Sequence, residues 1–422
     1  MRNTSKGPLM DGGRVVVIGA GPGGTATAIA LKRGAHALGR NVEVTIVEGK
    51  QFLTGQHYNQ CSGVLAPPII DLIERELQIR FPHHLCQRII TGYILHTARR
   101  SIILDGDNEP LVALRRIEYD AYMLEAARQC GIEVIPARVT NLEFHPDRVQ
   151  IYTESRPLEA DVVVGAFGMD EGTAVIFERL VGYRPPPALS AIVTKYHPGD
   201  ASMEAFGNRI HAFLPASSRI EFGAITPKGN HLTINIAGTR VDGDLMHAFI
   251  AVQEVRQVLP YLENTRGSNT SDMSFFNGHF PCGLAKNFTG DRYVMVGDAA
   301  GLVRAFKGKG VTSAILTGLR AADVILHKGI SKEAFQAYHT ANRDITGDLF
   351  YGQTMRRLTM LASRLGLMDA VLQSAEHNPI LQQALFDAVS ARRPYREVIR
   401  AAFSPAQLRS IVRAFLGRSA SI

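Results

Sequence analysis

The first third of the chain alternates short β-branched runs with alanine-rich stretches. RVVVI (14–18) is a continuous apolar run, of the kind buried on both faces of a parallel sheet. A glycine-rich turn follows, and the alanine-rich stretch Thr25 to Leu38 then predicts a helix. VEVTIVE (42–48) predicts a second strand, so the opening is β–α–β. Residues 119–130 predict a helix ending at Gly131; IEVIPARVTNLEF and RVQIYTE predict strands, and DVVVGAFG (161–168) another buried one. From about 186 to 284 the pattern is mostly β, with runs such as RIEFGAI and HLTINIAG between turn residues. RYVMVGD (292–298) predicts a strand leading into a helix. From about 331 onward the pattern is helical, broken at Pro379, Pro394 and Pro405.

A chain of 422 residues, 45% of them hydrophobic, can bury a large core and is expected to form two or three domains. No apolar run reaches the length of a membrane-spanning helix, and the amino terminus has no apolar leader region. The four cysteines (61, 86, 130, 282) form neither a CxxC pair nor a metal-ligand spacing. No metal site is expected, and the few thiols suit a reducing, cytoplasmic setting. The net charge is +7, but residues 391–422 carry seven arginines and one acid, Glu397. That segment alone holds +6, and the nearly neutral remainder argues against a nucleic-acid groove.

Gly19-Ala20-Gly21-Pro22-Gly23-Gly24 fits GxGxxG between a strand and a helix. The first glycine permits the tight turn, the second lets a pyrophosphate reach the backbone, and the third lets helix and strand pack closely. The helix N-terminus offers free N–H groups to phosphates. Glu48, closing the second strand, is placed to accept hydrogen bonds from an adenosine ribose. A second motif runs from Tyr293 to Gly301 and on through Gly308, Gly310 and Val311. Gly297-Asp298 ends a strand, and Asp298 can accept a hydrogen bond from a polyol hydroxyl. Gly308 and Gly310 give a backbone that can lie flat on a planar ring, with the helix from Gly310 aiming its positive end there.

Gly19, Gly21, Gly24 and Glu48, then Asp161 to Gly168, then Gly297-Asp298-Ala299-Ala300-Gly301 follow the order seen in FAD enzymes, which this chain resembles, of the p-hydroxybenzoate hydroxylase-like superfamily. Arg116, Tyr119 and Asp120 match its RxxFD pattern; Phe167 stands where its GADG element usually has Asp. The resemblance implies an α/β fold binding FAD, with a Rossmann-like domain (13–65, 111–185, 285–330) interleaved with a β-sheet substrate domain (66–110, 186–284). A helical C-terminal region (331–422) completes the expected layout.

Gln60-Cys61-Ser62-Gly63-Val64-Leu65 resembles the CGG-type element of geranylgeranyl reductases, and Phe222-Gly223-Ala224-Ile225-Thr226-Pro227-Lys228-Gly229 resembles their YGWxFPKG element. Phe222, Ala224 and Thr226 replace Tyr, Trp and Phe, so the pocket shaped by Phe222, Ala224, Thr226 and Pro227 is expected to be wider. The resemblance implies reduction of C=C bonds in an isoprenoid or related lipid. Cys61 is then the candidate proton donor, with His57 and Tyr58 just upstream as further candidates. NAD(P)H or a ferredoxin would supply electrons. The alternative is an FAD monooxygenase acting on an apolar small molecule, and a third reading is a non-catalytic flavin sensor. Flavin halogenases share the fold but carry a WxWxIP element, impossible in a chain without tryptophan. Cys282 precedes the second motif and is a candidate neighbour of Cys61, whereas His211, Lys228 and His231 are expected on exposed strands or turns.

Leu408, Ile411, Val412, Phe415 and Leu416 form one apolar stripe at helical spacing, flanked by Arg409, Arg413 and Arg418. This stripe either packs on the body of the protein or lies on an anionic membrane surface, at the inner face for a cytoplasmic protein.

Overall fold

The structure, a computed structural model, describes residues 6–50, 61–105, 111–259, 273–304 and 310–419, the last four as backbone. His57, Tyr58, Gln60 and Gly308 lie outside the described residues.

The apolar run Arg14–Ile18 is the centre of a six-stranded sheet. Glu43–Val47 and then Glu133–Ile135 pair in parallel on one side, Val162–Gly165 and Tyr293–Met295 on the other. Thr289–Gly290 adds an antiparallel edge. Central residues such as Val17, Ile46, Val163 and Val294 are fully buried, in one core with residues of helices Pro22–Ala37 and Gly310–His327 and with Leu142, Val149 and Ile151 of a smaller sheet.

The helix expected from Thr25 begins at Pro22, so the glycines form its first turn. Proline suits that place because it has no N–H to leave unpaired and its φ is already helical. A later helix, Gly310–His327, lies along this one. A Cβ on Gly318 would come within 2.7 Å of Thr27 Oγ1 and 2.8 Å of the Gly23 carbonyl oxygen, so only glycine permits this approach.

The second large sheet has seven strands, in the order Phe276–Pro281, Ala188–Tyr196, His231–Gly238, Phe222–Lys228, Arg209–Phe213, Gly92–His96 and Ser101–Asp105. All neighbours are antiparallel except Arg209–Phe213 with Gly92–His96. The region 186–284 is thus β with helices added, Asp200–Phe206, Gly243–Ala251 and Gln253–Val258. Their Met203, Met246, Phe249 and Val255 close one sheet face over Ile192, Ile225, Ile234 and Ile236. Two three-stranded sheets, Leu158–Ala160/Val149–Thr153/Val139–Phe144 and Val64–Leu65/Leu111–Leu114/Cys86–Ile90, complete the β structure.

Beyond residue 331 the chain is helical, and the three prolines open helices as well as break them. Pro379 and Pro405 are first residues, and Pro394 is the N-cap of Tyr395–Ala402. That helix start is held by buried Asp348, which accepts from the N–H groups of Tyr395 (2.9 Å) and Arg396 (3.1 Å). Met368 and Leu372 of helix Leu367–Ala375 and Phe386 of Pro379–Ser390 pack against Tyr93, Leu95, Ile210, Ala212 and Ala224 of the large sheet.

Replacing Gly318 by valine is expected to force the two glycine-spaced helices apart and cost about 1–3 kcal/mol, as overpacking does. Thermal unfolding of the cofactor-free protein measures this; an unchanged midpoint would mean the helices tolerate a wider spacing.

Candidate functional site

Gly19 ends the central strand with φ +104°, a conformation that side chains rarely adopt. A Cβ there would lie 2.5 Å from the Ala166 carbonyl oxygen, and one on Gly24 1.9 Å from that of Gly19. A Cβ on Gly23 would lie 3.3 Å from Val296 Cγ2 and 3.4 Å from the Ala314 carbonyl oxygen. The turn and its packing therefore account for these three glycines. Gly21 is different: its φ of −67° suits any residue, and a Cβ there would meet no atom of the described residues within 4 Å. Nothing among the described residues requires glycine at this position, whereas a pyrophosphate lying against the backbone would. Gly21 is also the N-cap and makes no side-chain cap, which leaves the first-turn N–H groups for a ligand.

The Glu48 carboxylate is fixed beside this turn. Its Oε2 accepts from the Ala20 N–H at 2.7 Å, and its Oε1 from the Lys50 N–H at 2.8 Å. Each oxygen retains acceptor capacity for a hydroxyl.

On the second motif, Gly297 (φ +58°) donates its N–H to Thr317 Oγ1 at 3.0 Å. Gly301 (φ +69°) turns so closely that a Cβ would lie 2.1 Å from the Gly283 carbonyl oxygen. Between them Asp298 is half-buried; burial pushes its carboxyl above the usual range, and Arg116 offsets part of that. Gly310, followed by Val311, opens its helix close to this aspartate, with 3.7 Å between Asp298 Oδ1 and a Cβ on Gly310.

Arg116 pairs with Asp120 through two hydrogen bonds of 3.0 and 3.3 Å, with side chains 14% and 4% exposed. Burial alone would lower its pKa; the Asp120 carboxylate, with Cys61 and Tyr119, outweighs that and raises it. Arg116 therefore stays charged where the Cys61 loop and the Asp298 turn converge. Phe167 is buried, stacked on Phe177 with ring centres 5.6 Å apart. The nearby acid Asp170 instead caps helix Glu171–Val181 by accepting from the Thr173 N–H.

The seven-stranded sheet corrects several expectations. Alternation along Phe222–Lys228 puts Phe222, Ala224, Thr226 and Lys228 on one face. Pro227 faces the other way, in the row of Tyr196 and Leu232, and does not share the pocket wall. Lys228 and His231 are buried, at 4% and 6% exposure, not on exposed turns. His211 is half-buried, its Nδ1 2.9 Å from His96 Nε2. The pairing register lines up Lys195, Thr233 and Thr226 in one row, with Lys228 opposite His231 in the next.

This face is cationic. Burial, with help from Lys195 and Arg115, pushes Lys228 down to about 8, against the opposing pull of Cys61 and Glu118. Burial and then Lys228, Lys195, His197 and Arg115 push His231 down to about 4. His231 Nε2 and Thr233 Oγ1 are buried without a hydrogen-bond partner among the described residues. Gly63 explains how Lys228 meets the Cys61 loop: with φ +67°, a Cβ there would lie 2.9 Å from Lys228 Nζ. Cys61 is exposed and Cys282 buried, and neither is in a disulfide. The signal for Lys228 was present in the sequence, as its even spacing from Phe222, Ala224 and Thr226, but burial of its row was not.

No family model matches the chain. The chloroplastic geranylgeranyl diphosphate reductase of Nicotiana tabacum is 23% identical over 337 residues, covering 74% of this chain and 66% of that protein. A geranylgeranyl bacteriochlorophyll reductase-like protein from Thermoplasma acidophilum superposes with a TM-score of 0.67 at 18% identity, over 96% of this chain and all of that one. The fold is that of the geranylgeranyl reductase-like flavoproteins. A flavin-dependent brominase shares it, with a TM-score of 0.63 at 16% identity over 92% of this chain and 97% of its own. Proteins of this fold therefore include both a reductase-like protein and a flavin-dependent brominase.

The depressed Lys228 fixes a pH dependence. Below about pH 8 both folded and unfolded chains carry its proton, and the folded chain bears the cost of a buried charge. Between about 8 and the ordinary 10.5 the unfolded chain binds more protons, so stability rises with pH. Lys228→Met is expected to stabilise the ligand-free protein at pH 7 by something on the order of 2 kcal/mol and to remove that rise. Unfolding curves of both proteins at pH 7 and 10 check this; a destabilised variant at pH 7 would assign Lys228 a structural role.

Proposed function

We propose that the protein is an FAD-dependent oxidoreductase reducing C=C bonds of an isoprenoid or related lipid, the bound flavin supplying hydride. The observation that supports FAD binding is Gly21, a glycine with no conformational or packing need among the described residues. Gly19, Gly21, Gly23 and Gly24 would hold the pyrophosphate, with Glu48 at the adenosine ribose. Gly297, Asp298 and Gly301 would hold the ribityl end, and Arg116, Gly310 and Val311 would flank it. Replacing Gly21 by valine is expected to give a colourless protein that folds normally. Stoichiometric FAD in that variant, read from its absorbance, would remove this loop from the site.

An apolar chain would lie along the face shared by Phe222, Ala224 and Thr226, where Met368, Leu372 and Phe386 already supply apolar cover. Beyond it Lys228, Lys195 and buried Thr233 suit an anionic end on the same molecule, as in the diphosphate substrate named for the tobacco relative. Cys61 is exposed within the charge range of Arg116 and Lys228, and it would donate the proton to the second alkene carbon. NAD(P)H or a ferredoxin would reduce the flavin.

The structural likeness to the brominase favours a second reading, a monooxygenase acting on an apolar small molecule. Anaerobic reduction separates the two. Reoxidation on mixing with a prenyl diphosphate under anaerobic conditions is expected. Oxygen uptake stimulated by an apolar substrate, with hydroxylated product, would select the monooxygenase instead. In the reductase, Cys61→Ser is expected to keep FAD and slow the alkene half-reaction about 10²–10⁴-fold, the range for a lost general acid. An unchanged stopped-flow rate would return Cys61 to a packing role.

A further inference from the structure

The C-terminal helices leave a set of apolar side chains in water. In helix Pro405–Ser419, Gln407 is 5% exposed and Ile411 packs inward beside Met368 and Leu372. The other side of the stripe points out: Leu408, Val412 and Phe415, at i, i+4 and i+7, are 42%, 54% and 42% exposed. Arg409 and Arg413 are exposed beside them. The stripe expected from the sequence is thus divided, one residue packed and three outward.

A second helix does the same. In Arg343–Arg364 two arginines are committed to the body: Arg356 pairs with Glu221 at 3.1 Å, and exposed Arg364 donates to the Ser218 carbonyl at 2.9 Å. Leu358 and Leu361, with Leu365 just beyond, are 40%, 54% and 60% exposed, and Arg357 is exposed among them. Both helices pack on Leu367–Ala375. No acid occurs between Asp348 and Asp369 or after Glu397.

We propose that this leucine- and arginine-bearing surface docks on an anionic lipid bilayer, apolar side chains among the acyl chains and arginines at the headgroups. Charge selects the occupant. A second copy of the chain would set the same arginine-rich surface, +6 over residues 391–422, against itself, whereas anionic headgroups neutralise it. Contact is with one leaflet, because no helix among the described residues is long and apolar enough to cross a membrane. The inference is independent of the reaction proposed above.

Co-sedimentation of the full-length, FAD-loaded protein tests it, with vesicles of phosphatidylcholine alone or mixed with phosphatidylglycerol, at low and high salt. Binding to the phosphatidylglycerol vesicles, weakened by salt, is expected. Replacing Leu408, Val412 and Phe415 by serine is expected to weaken binding about tenfold or more per side chain. Replacing Arg409 and Arg413 by glutamine is expected to weaken it about fivefold each. Circular dichroism and FAD content show that the variants remain folded. Absent binding to phosphatidylglycerol, equal binding to neutral vesicles, or unaltered binding by the serine variant would overturn the proposal. So would a lipid-free dimer, seen by sedimentation velocity, that the serine replacements dissociate.

Discussion

Helix Gly310–His327 lies against helix Pro22–Ala37 at a distance only glycine allows, and the site's geometry depends on that contact. Gly318 meets Thr27 and Gly23 there, while Ala314 fills the space beside Gly23 and Gly297. Thr317, one turn from Ala314, accepts the Gly297 N–H and thereby fixes the turn that carries Asp298. The glycine turn after the first strand and the aspartate turn after the last one are thus braced by the same pair of helices. Widening that spacing would loosen both turns together.

The second constraint is electrostatic. Arg116 can remain charged at 14% side-chain exposure because Asp120 supplies two hydrogen bonds from one helical turn away. Lys228 is different: burial, Lys195 and Arg115 oppose its charge and outweigh the favourable pull of Cys61 and Glu118. This lysine is buried beside His231 Nε2 and Thr233 Oγ1, two atoms with no hydrogen-bond partner among the described residues, which is the setting for the anionic ligand end proposed above. Charge and burial therefore distinguish the two cations: one is paired within its own helix, and the other is buried where its charge is disfavoured.

Much of the nucleotide-type domain was legible along the chain. The run 14–18, the glycines after it and the strand ending before Glu48 are local signals, because buried parallel strands and tight turns each impose composition on consecutive residues. The Pro22 start of the helix was missed because glycines normally argue against a helix, whereas here close packing demands them. The short helices within 186–284 were hidden among strong β signals, and their role is tertiary: Phe249 reaches the sheet only because Gly223 lacks a side chain.

By itself the sequence determined which residues could turn the backbone tightly, which runs would be buried in a parallel sheet, and where positive charge accumulates. Those properties belong to neighbours along the chain. Only the tertiary structure decided that Pro227 faces away from Thr226, that Lys228 is buried beside the Cys61 loop, and that Ile411 packs while Leu408, Val412 and Phe415 stay in water. Each of these depends on strand register or on which helix lies alongside. Register and helix placement are set by contacts between residues far apart in sequence, so local pattern leaves them open.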